Sequence, residues 1–209
     1  MTSDSTEIIL VRHGQTEWNR IERFRGRADI PLNETGLAQA RAVAEALVKR
    51  SNPAAIYASP LGRCIQTAEP IAAKTGLEIQ PLAGIIDIDY GDWQGFTPAE
   101  VEERYPDLHH AWMKAPQTVT IPHGESLDQV RARAFSALED AAKRHLGQSI
   151  VLVSHKVICK VLTCAVLGLD NSHFWRIEQD NGAMNIFEWR NGVYTVKLVN
   201  DTCHVAGVV

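Results

Sequence analysis

Ile8-Ile9-Leu10-Val11 are four consecutive apolar residues, three of them β-branched, and they run directly into Arg12-His13-Gly14. An unbroken run of this kind reads as a strand buried on both faces, as in a parallel sheet covered by helices on each side. In open α/β sheets ligands settle just beyond the carboxyl ends of strands. Arg12 and His13 therefore stand where a site is expected. Gly14 lets the backbone turn tightly and come close to an anion. Arg12 offers a planar fork of donors suited to phosphate, and His13 can act as a nucleophile or acid–base group near neutrality.

The rest of the chain supplies the alternation that such a sheet needs. Asn33 reads as a helix N-cap, followed by Leu37, Ala40, Val43, Ala44, Leu47 and Val48 at helical spacing. Ala54 to Ala58 reads as a strand; Ser59-Pro60-Leu61 then opens a helix carrying Arg63, which Gly76 closes. Leu77 to Pro81 is a third short strand, and Gly84 to Gly95 is irregular and aromatic. Thr97 and Glu100 form a capping box, with Pro98 at the first helical position, for a short helix through Tyr105. Asp107 to Glu125 has proline turn signals and no clear period; it reads as a loop-rich excursion over the sheet end, placed to act as a lid. Ser126 and Gln129 cap a helix running to about His145. Ser149 to Ser154 is the second strong strand, and it too ends at a histidine, His155, before a helix through Leu167. Met184 to Trp189, the Asn191-Gly192 turn and Val193 to Val199 make a β-hairpin. The expected architecture is an α/β fold: a three-layer α/β/α sandwich with a mostly parallel sheet and an antiparallel edge hairpin, in a single domain over residues 1–209.

Composition narrows the function. A net charge of −4 argues against nucleic acid or an anionic membrane as partner. No apolar run is long enough to span a bilayer, and the polar, acidic residues Met1 to Glu7 do not make a signal peptide. Cys64, Cys159, Cys164 and Cys203 form no C-x-x-C pair, which fits reduced thiols in a cytoplasm. No Asp/His set has metal-ligand spacing, so neither a metal nor another cofactor is inferred. The edge hairpin could pair across a homodimer.

Two strong strands each end in a histidine at one sheet edge, and Arg63 sits in the first turn after a third strand, as His155 does after its own. A lone histidine closes many loops; two of them with Arg12 and Arg63 at matching ends are poorly explained that way. The convergence gives a positive pocket in a negatively charged chain, and a phosphoryl group fits it, because Arg and His donors stabilise charge spread over its oxygens.

Arg12-His13-Gly14-Gln15-Thr16-Glu17-Trp18-Asn19 resembles the signature of the histidine phosphatase superfamily, in its phosphoglycerate-mutase-like branch. Arg25-Gly26, with Pro31-Leu32 and Gly36, resembles the family's next segment. Ser59 to Ala68, Tyr90-Gly91-Asp92-Trp93-Gln94-Gly95, Gly124-Glu125-Ser126-Leu127 and Val153-Ser154-His155 resemble its later motifs, in order. The resemblance implies that His13 attacks phosphorus and becomes a phosphohistidine, with Arg12, Arg63 and His155 holding the phosphoryl oxygens and Asn19 beside them. It implies a carboxylic acid that protonates the leaving oxygen. Family members usually carry Glu there; this chain has Asp87, shorter by one methylene, with Asp89 the lesser candidate. Two further departures bear on the substrate. Lys156 follows His155 where a glycine is usual, and Arg25 replaces a Gln or Thr; either could meet a second acidic group on the substrate.

The family contains mutases and phosphatases. Mutases that use bisphosphoglycerate typically carry an insertion before the fourth motif, and this chain is short there, which favours hydrolysis over phosphoglycerate mutase activity. A third reading, a catalytically weak phosphoester-binding or interaction module, rests on the Asp87 and Lys156 departures. Leu167-Gly168-Leu169, Phe174-Trp175, Asp180-Asn181 and Thr202-Cys203-His204 resemble metal-independent phosphoserine phosphatases, in which a histidine at the position of His204 helps recognise the amino acid. A second recognition histidine of those enzymes is Tyr90 here. The expected substrate is a small phosphorylated metabolite: phosphoserine, or a sugar or organic-acid phosphate.

Overall fold

The computed structural model describes residues 4–208; Met1 to Ser3 of the polar opening segment, and Val209 at the end of the expected 1–209 domain, lie outside them. Its strands are β1 (Ser5–Arg12), β2 (Ala55–Ala58), β3 (Ile79–Pro81), β4 (Ser149–Ser154), β5 (Met184–Arg190) and β6 (Val193–Asp201). Its helices are α1 (Glu17–Arg20), α2 (Glu34–Arg50), α3 (Gly62–Thr75), α4 (Pro98–Arg104), α5 (Pro106–Lys114), α6 (Leu127–Arg144) and α7 (Lys156–Val166). One sheet runs in the order β3-β2-β4-β1-β5-β6. The first four strands are mutually parallel, and the β5–β6 hairpin joins β1 in antiparallel fashion. This is the mostly parallel sheet with an antiparallel edge hairpin that the alternation implied.

Successive strand residues face opposite sides of a sheet, and β1 shows why it sits at the centre. Ile8 and Leu10 pack with Tyr57, Ile150 and Leu152 against α6 and α7, through Val130, Leu138, Ile158 and Leu162. Ile9 and Val11 pack with Ile56, Val151 and Val153 against α2 and α3, through Val43, Leu47, Cys64 and Ile71. Both faces of β1 are fully buried from Ile8 to Val11, so a one-residue slip would move every one of these side chains to the wrong face. The register is what builds the site. Arg12 pairs with Ser154 and Ala58 with Val153, so His13, His155 and Ser59 leave three adjacent strands at one edge.

The expected helix starts form. Thr97 with Glu100 and Ser126 with Gln129 make reciprocal capping boxes, Asn33 accepts from Gly36 N, and Gly76 ends α3 in the left-handed region at φ 72°. Gly14 is required by close approach: a Cβ there would stand 2.4 Å from the Gly36 carbonyl oxygen, because the loop after β1 lies backbone to backbone on the first turn of α2.

One expectation is corrected. The segment from Asp107, read as loop, begins as α5, with Pro106 starting the helix at its first position rather than breaking it. Trp112 is the buried residue of this nine-residue helix, so no repeated apolar stripe marks it in the sequence. Beyond it, residues 115–125 hold a 3-10 turn at Pro116–Thr118 and an isolated antiparallel bridge from Thr120 to Ser126. No helix among the described residues is long and apolar enough to cross a membrane.

Candidate active site

His13 and His155 meet edge to face, ring centroids 5.3 Å apart, and neither is exposed. His13 Nδ1 lies 2.6 Å from the Gly14 carbonyl oxygen. A carbonyl can only accept, so Nδ1 carries the ring proton and donates it. The lone pair is then on Nε2, which is buried and has no hydrogen-bond partner. Burial, with the charges of Arg63, Arg12 and Arg25, holds the imidazole well below the ordinary histidine value. His13 is therefore a neutral imidazole whose Nε2 lone pair is unpaired in a cationic surround.

Arg63, fully buried at the start of α3, ties the other elements together. Its Nε donates to His155 Nδ1 at 3.2 Å, and its terminal nitrogens donate to the carbonyls of Gly26 and Ala28 at 2.8 Å each and to Asp87 Oδ2 at 3.0 Å. Because His155 Nδ1 accepts, its proton sits on Nε2, which donates to Ser59 Oγ at 2.7 Å. Burial first, then Arg63, keeps His155 neutral as well. Asp87 Oδ2 is also 3.5 Å from His155 Nδ1, and Oδ1 accepts from Ile88 N at 3.0 Å. Two influences oppose each other on this carboxyl: burial raises its pKa, Arg63 and Arg25 lower it, and burial prevails. Asp89 is engaged elsewhere, with Gly91 N and Arg27.

Arg12 donates to the Gln179 carbonyl at 2.6 Å while its Nε stays buried without a partner; burial and Arg25 lower it to about 10. Arg12 and Arg25 line a cavity of about 610 Å³ next to this cluster, together with Lys156, Tyr90, Trp112 and Trp175. Asn19 lines it too; its Oδ1 is taken up by the Thr16 backbone and hydroxyl and by Asn181, which leaves the amide nitrogen as its free donor. Two expected binding residues stand outside the lining. Gly26 contributes its carbonyl to Arg63. His204 donates from Nε2 to the Gly182 carbonyl at 2.8 Å, propping the loop whose Asn181 lines the cavity. Among the described residues no three His, Cys, Asp or Glu side chains gather as a metal site.

Three contributors escaped sequence reasoning. Ser59 orients His155; its signal was its place at the carboxyl end of β2. His109, in the segment read as a loop, lines the cavity because α5 presents it there. Arg133 of α6 donates to the carbonyls of Gly84 and Ile86 at 2.9 and 2.7 Å and of Asp87 at 3.1 Å, and pairs with Glu125 at 2.9 Å. It clamps the segment that carries Asp87, and nothing in the sequence marked it.

Residues 8–202 match the pattern of the histidine phosphatase superfamily (branch 1). The chain belongs to that superfamily. Phosphoserine phosphatase 1 of Hydrogenobacter thermophilus is 39% identical to this histidine phosphatase over 199 residues, covering 95% of this chain and 94% of that protein. A metal-independent phosphoserine phosphatase of Arabidopsis thaliana is 33% identical over 209 residues, covering 99% and 86%. The solved structure of Bacillus stearothermophilus YhfR superposes with a TM-score of 0.91 at 30% identity, covering 96% of this chain and 99% of that one. Family and relatives together make the chain a phosphatase, an enzyme acting on phosphomonoesters.

Proposed function

We propose that the chain, acting as one domain in a reducing cytoplasm, hydrolyses a small phosphorylated metabolite by double displacement through His13. The Nε2 lone pair of His13 attacks phosphorus while the bond to the leaving oxygen breaks, giving a phosphohistidine. Asp87, whose pKa burial raises, protonates the leaving oxygen. Water then attacks phosphorus, Asp87 takes back a proton, and the P–N bond breaks to restore neutral His13. Arg12, Arg63 and His155 stabilise the charge on the transferring oxygens, with Asn19 at the rim. The observation that carries this reading is the neutral His13 ring, its proton fixed on Nδ1 by Gly14 and its Nε2 unpaired in the field of Arg63, Arg12 and Arg25.

The proposed substrate set includes phosphoserine, since both relatives named above are phosphoserine phosphatases by name. The test is a reaction with a ³²P-labelled phosphoester quenched in alkaline detergent. Wild type should carry an acid-labile, base-stable label, and His13→Ala should carry none and lose at least about a thousandfold in kcat. Unlabelled wild type, or a turning-over His13→Ala, would refute the reading. Isomerised product from 3-phosphoglycerate without free phosphate would make the enzyme a mutase instead.

A further inference from the structure

The phosphoryl site is served by Arg12, Arg63 and His155, yet the cavity beside it holds more positive charge than that task requires. Lys156 is the first residue of α7, directly after His155, half-buried and lining the cavity. A helix N-terminus is an unfavourable place for a cation, and Arg12 nearby adds repulsion, so the ammonium is held below its ordinary range by burial and that charge. Glu178 and Asp180 act on it only from a distance; among the described residues Lys156 forms no ion pair. One turn further along the same face, Lys160 is 1% exposed. It makes no hydrogen bond or ion pair among the described residues; its amine lies 5.0 Å from the Phe174 ring centroid and 4.7 Å from that of Trp175. Trp175 is itself a cavity wall, tethered by its indole N–H to the Trp112 carbonyl at 2.7 Å. Aromatic faces offset part of the cost of an unpaired buried ammonium, and a carboxylate or phosphate would offset far more.

We propose that Lys156, with Lys160 behind it, forms a second anion subsite in the cavity wall, and that the preferred substrate carries a second anionic group on its leaving group. The proposal rests on the phosphoryl group being transferred at His13. The cavity of about 610 Å³ has room for such a leaving group, and the aromatic wall of Tyr90, Trp112 and Trp175 would flank its body.

Two matched pairs of esters test this and distinguish a carboxylate from a second phosphate: 3-phosphoglycerate against glycerol 3-phosphate, and fructose 1,6-bisphosphate against fructose 6-phosphate. Wild type should favour the member with the additional anion in at least one pair, by about tenfold in kcat/KM. That ratio should fall about tenfold in Lys156→Met, through KM, as expected for one lost charge-assisted hydrogen bond. It should fall less steeply in Lys160→Met and be retained in Lys156→Arg. Lys160→Met removes an unpaired buried charge, so its Tm should rise, and a folding defect will not obscure the result. No preference in wild type, an unchanged ratio in Lys156→Met, or equal losses for both members of a pair would overturn the subsite. Failure to release phosphate from any of the four esters would instead defeat the phosphatase reading on which it stands.

Discussion

A carboxyl held between a guanidinium and an apolar surround can lean either way, and Asp87 shows which influence wins. Arg63 at 3.0 Å would keep it ionised, but burial raises its pKa. In the proposed mechanism its contribution as an acid depends on the leaving group. An alkoxide leaving group needs the proton; p-nitrophenolate, far less basic, does not. Asp87→Asn should therefore lower kcat by about a hundredfold or more for glycerol 3-phosphate and by only a few-fold for p-nitrophenyl phosphate. Equal losses for the two esters would remove Asp87 from proton transfer. Contact with Arg63 at Oδ2 and the hydrogen bond from Ile88 N to Oδ1 fix both carboxyl oxygens.

The elements decide how firmly that carboxyl is placed. Arg133 projects from α6 and uses both terminal nitrogens on the carbonyls of Gly84, Ile86 and Asp87, while Glu125 holds its guanidinium and also accepts from Asp89 N. Arg133→Ala should loosen the Asp87 segment and reduce kcat about tenfold or more, with a smaller change in KM. It should also reproduce the leaving-group dependence of Asp87→Asn in milder form; a loss independent of the leaving group would make Arg133 merely structural. This clamp also shows what a sequence can and cannot reveal. β1 and β4 were legible because burial on both faces leaves a continuous apolar run, and Arg12, His13, His155 and Arg63 because they stand at a strand end, directly after one, or at the start of the helix that follows one. Capped helices were legible because caps need particular side chains at fixed spacing. Arg133 was not: its partners are mostly backbone carbonyls, which any residue supplies, across a separation of 46 to 49 positions. α5 was hidden because it buries Trp112 alone, and His109 took its place at the cavity only once α5 had formed.

At the scale of the whole molecule, the cluster couples stability to pH. The net charge is −4, yet the sheet edge gathers Arg12, Arg25 and Arg63 around two buried imidazoles. The folded values of His13 and His155 lie well below 6.5, the value each regains on unfolding. As pH falls through that value the unfolded chain takes up protons at both positions and the native state does not. Their contribution is thus fully present above about pH 6.5 and is lost progressively below it, by up to about 1.4 kcal/mol per pH unit for each ring. Lys160 does not share this window. Its folded value of about 8, against an ordinary 10.5, makes it destabilising by a growing amount as pH falls from 10.5 to 8, and by a constant amount below. Asp87, raised in the fold, acts in the opposite sense and nearer the carboxylate range, where the native state binds its proton first. Urea midpoints measured at pH 7, 6 and 5 should therefore fall steeply in wild type. The fall should be shallower in His13→Gln, which lacks one of the two buried titrating rings, and shallower again in the His13→Gln/His155→Gln double variant, which lacks both. A double variant whose midpoints decline as steeply as wild type would place the acid sensitivity elsewhere in the chain. Inorganic phosphate should lift the midpoint by binding the native cationic cluster, and lift it most in variants that retain Arg12 and Arg63.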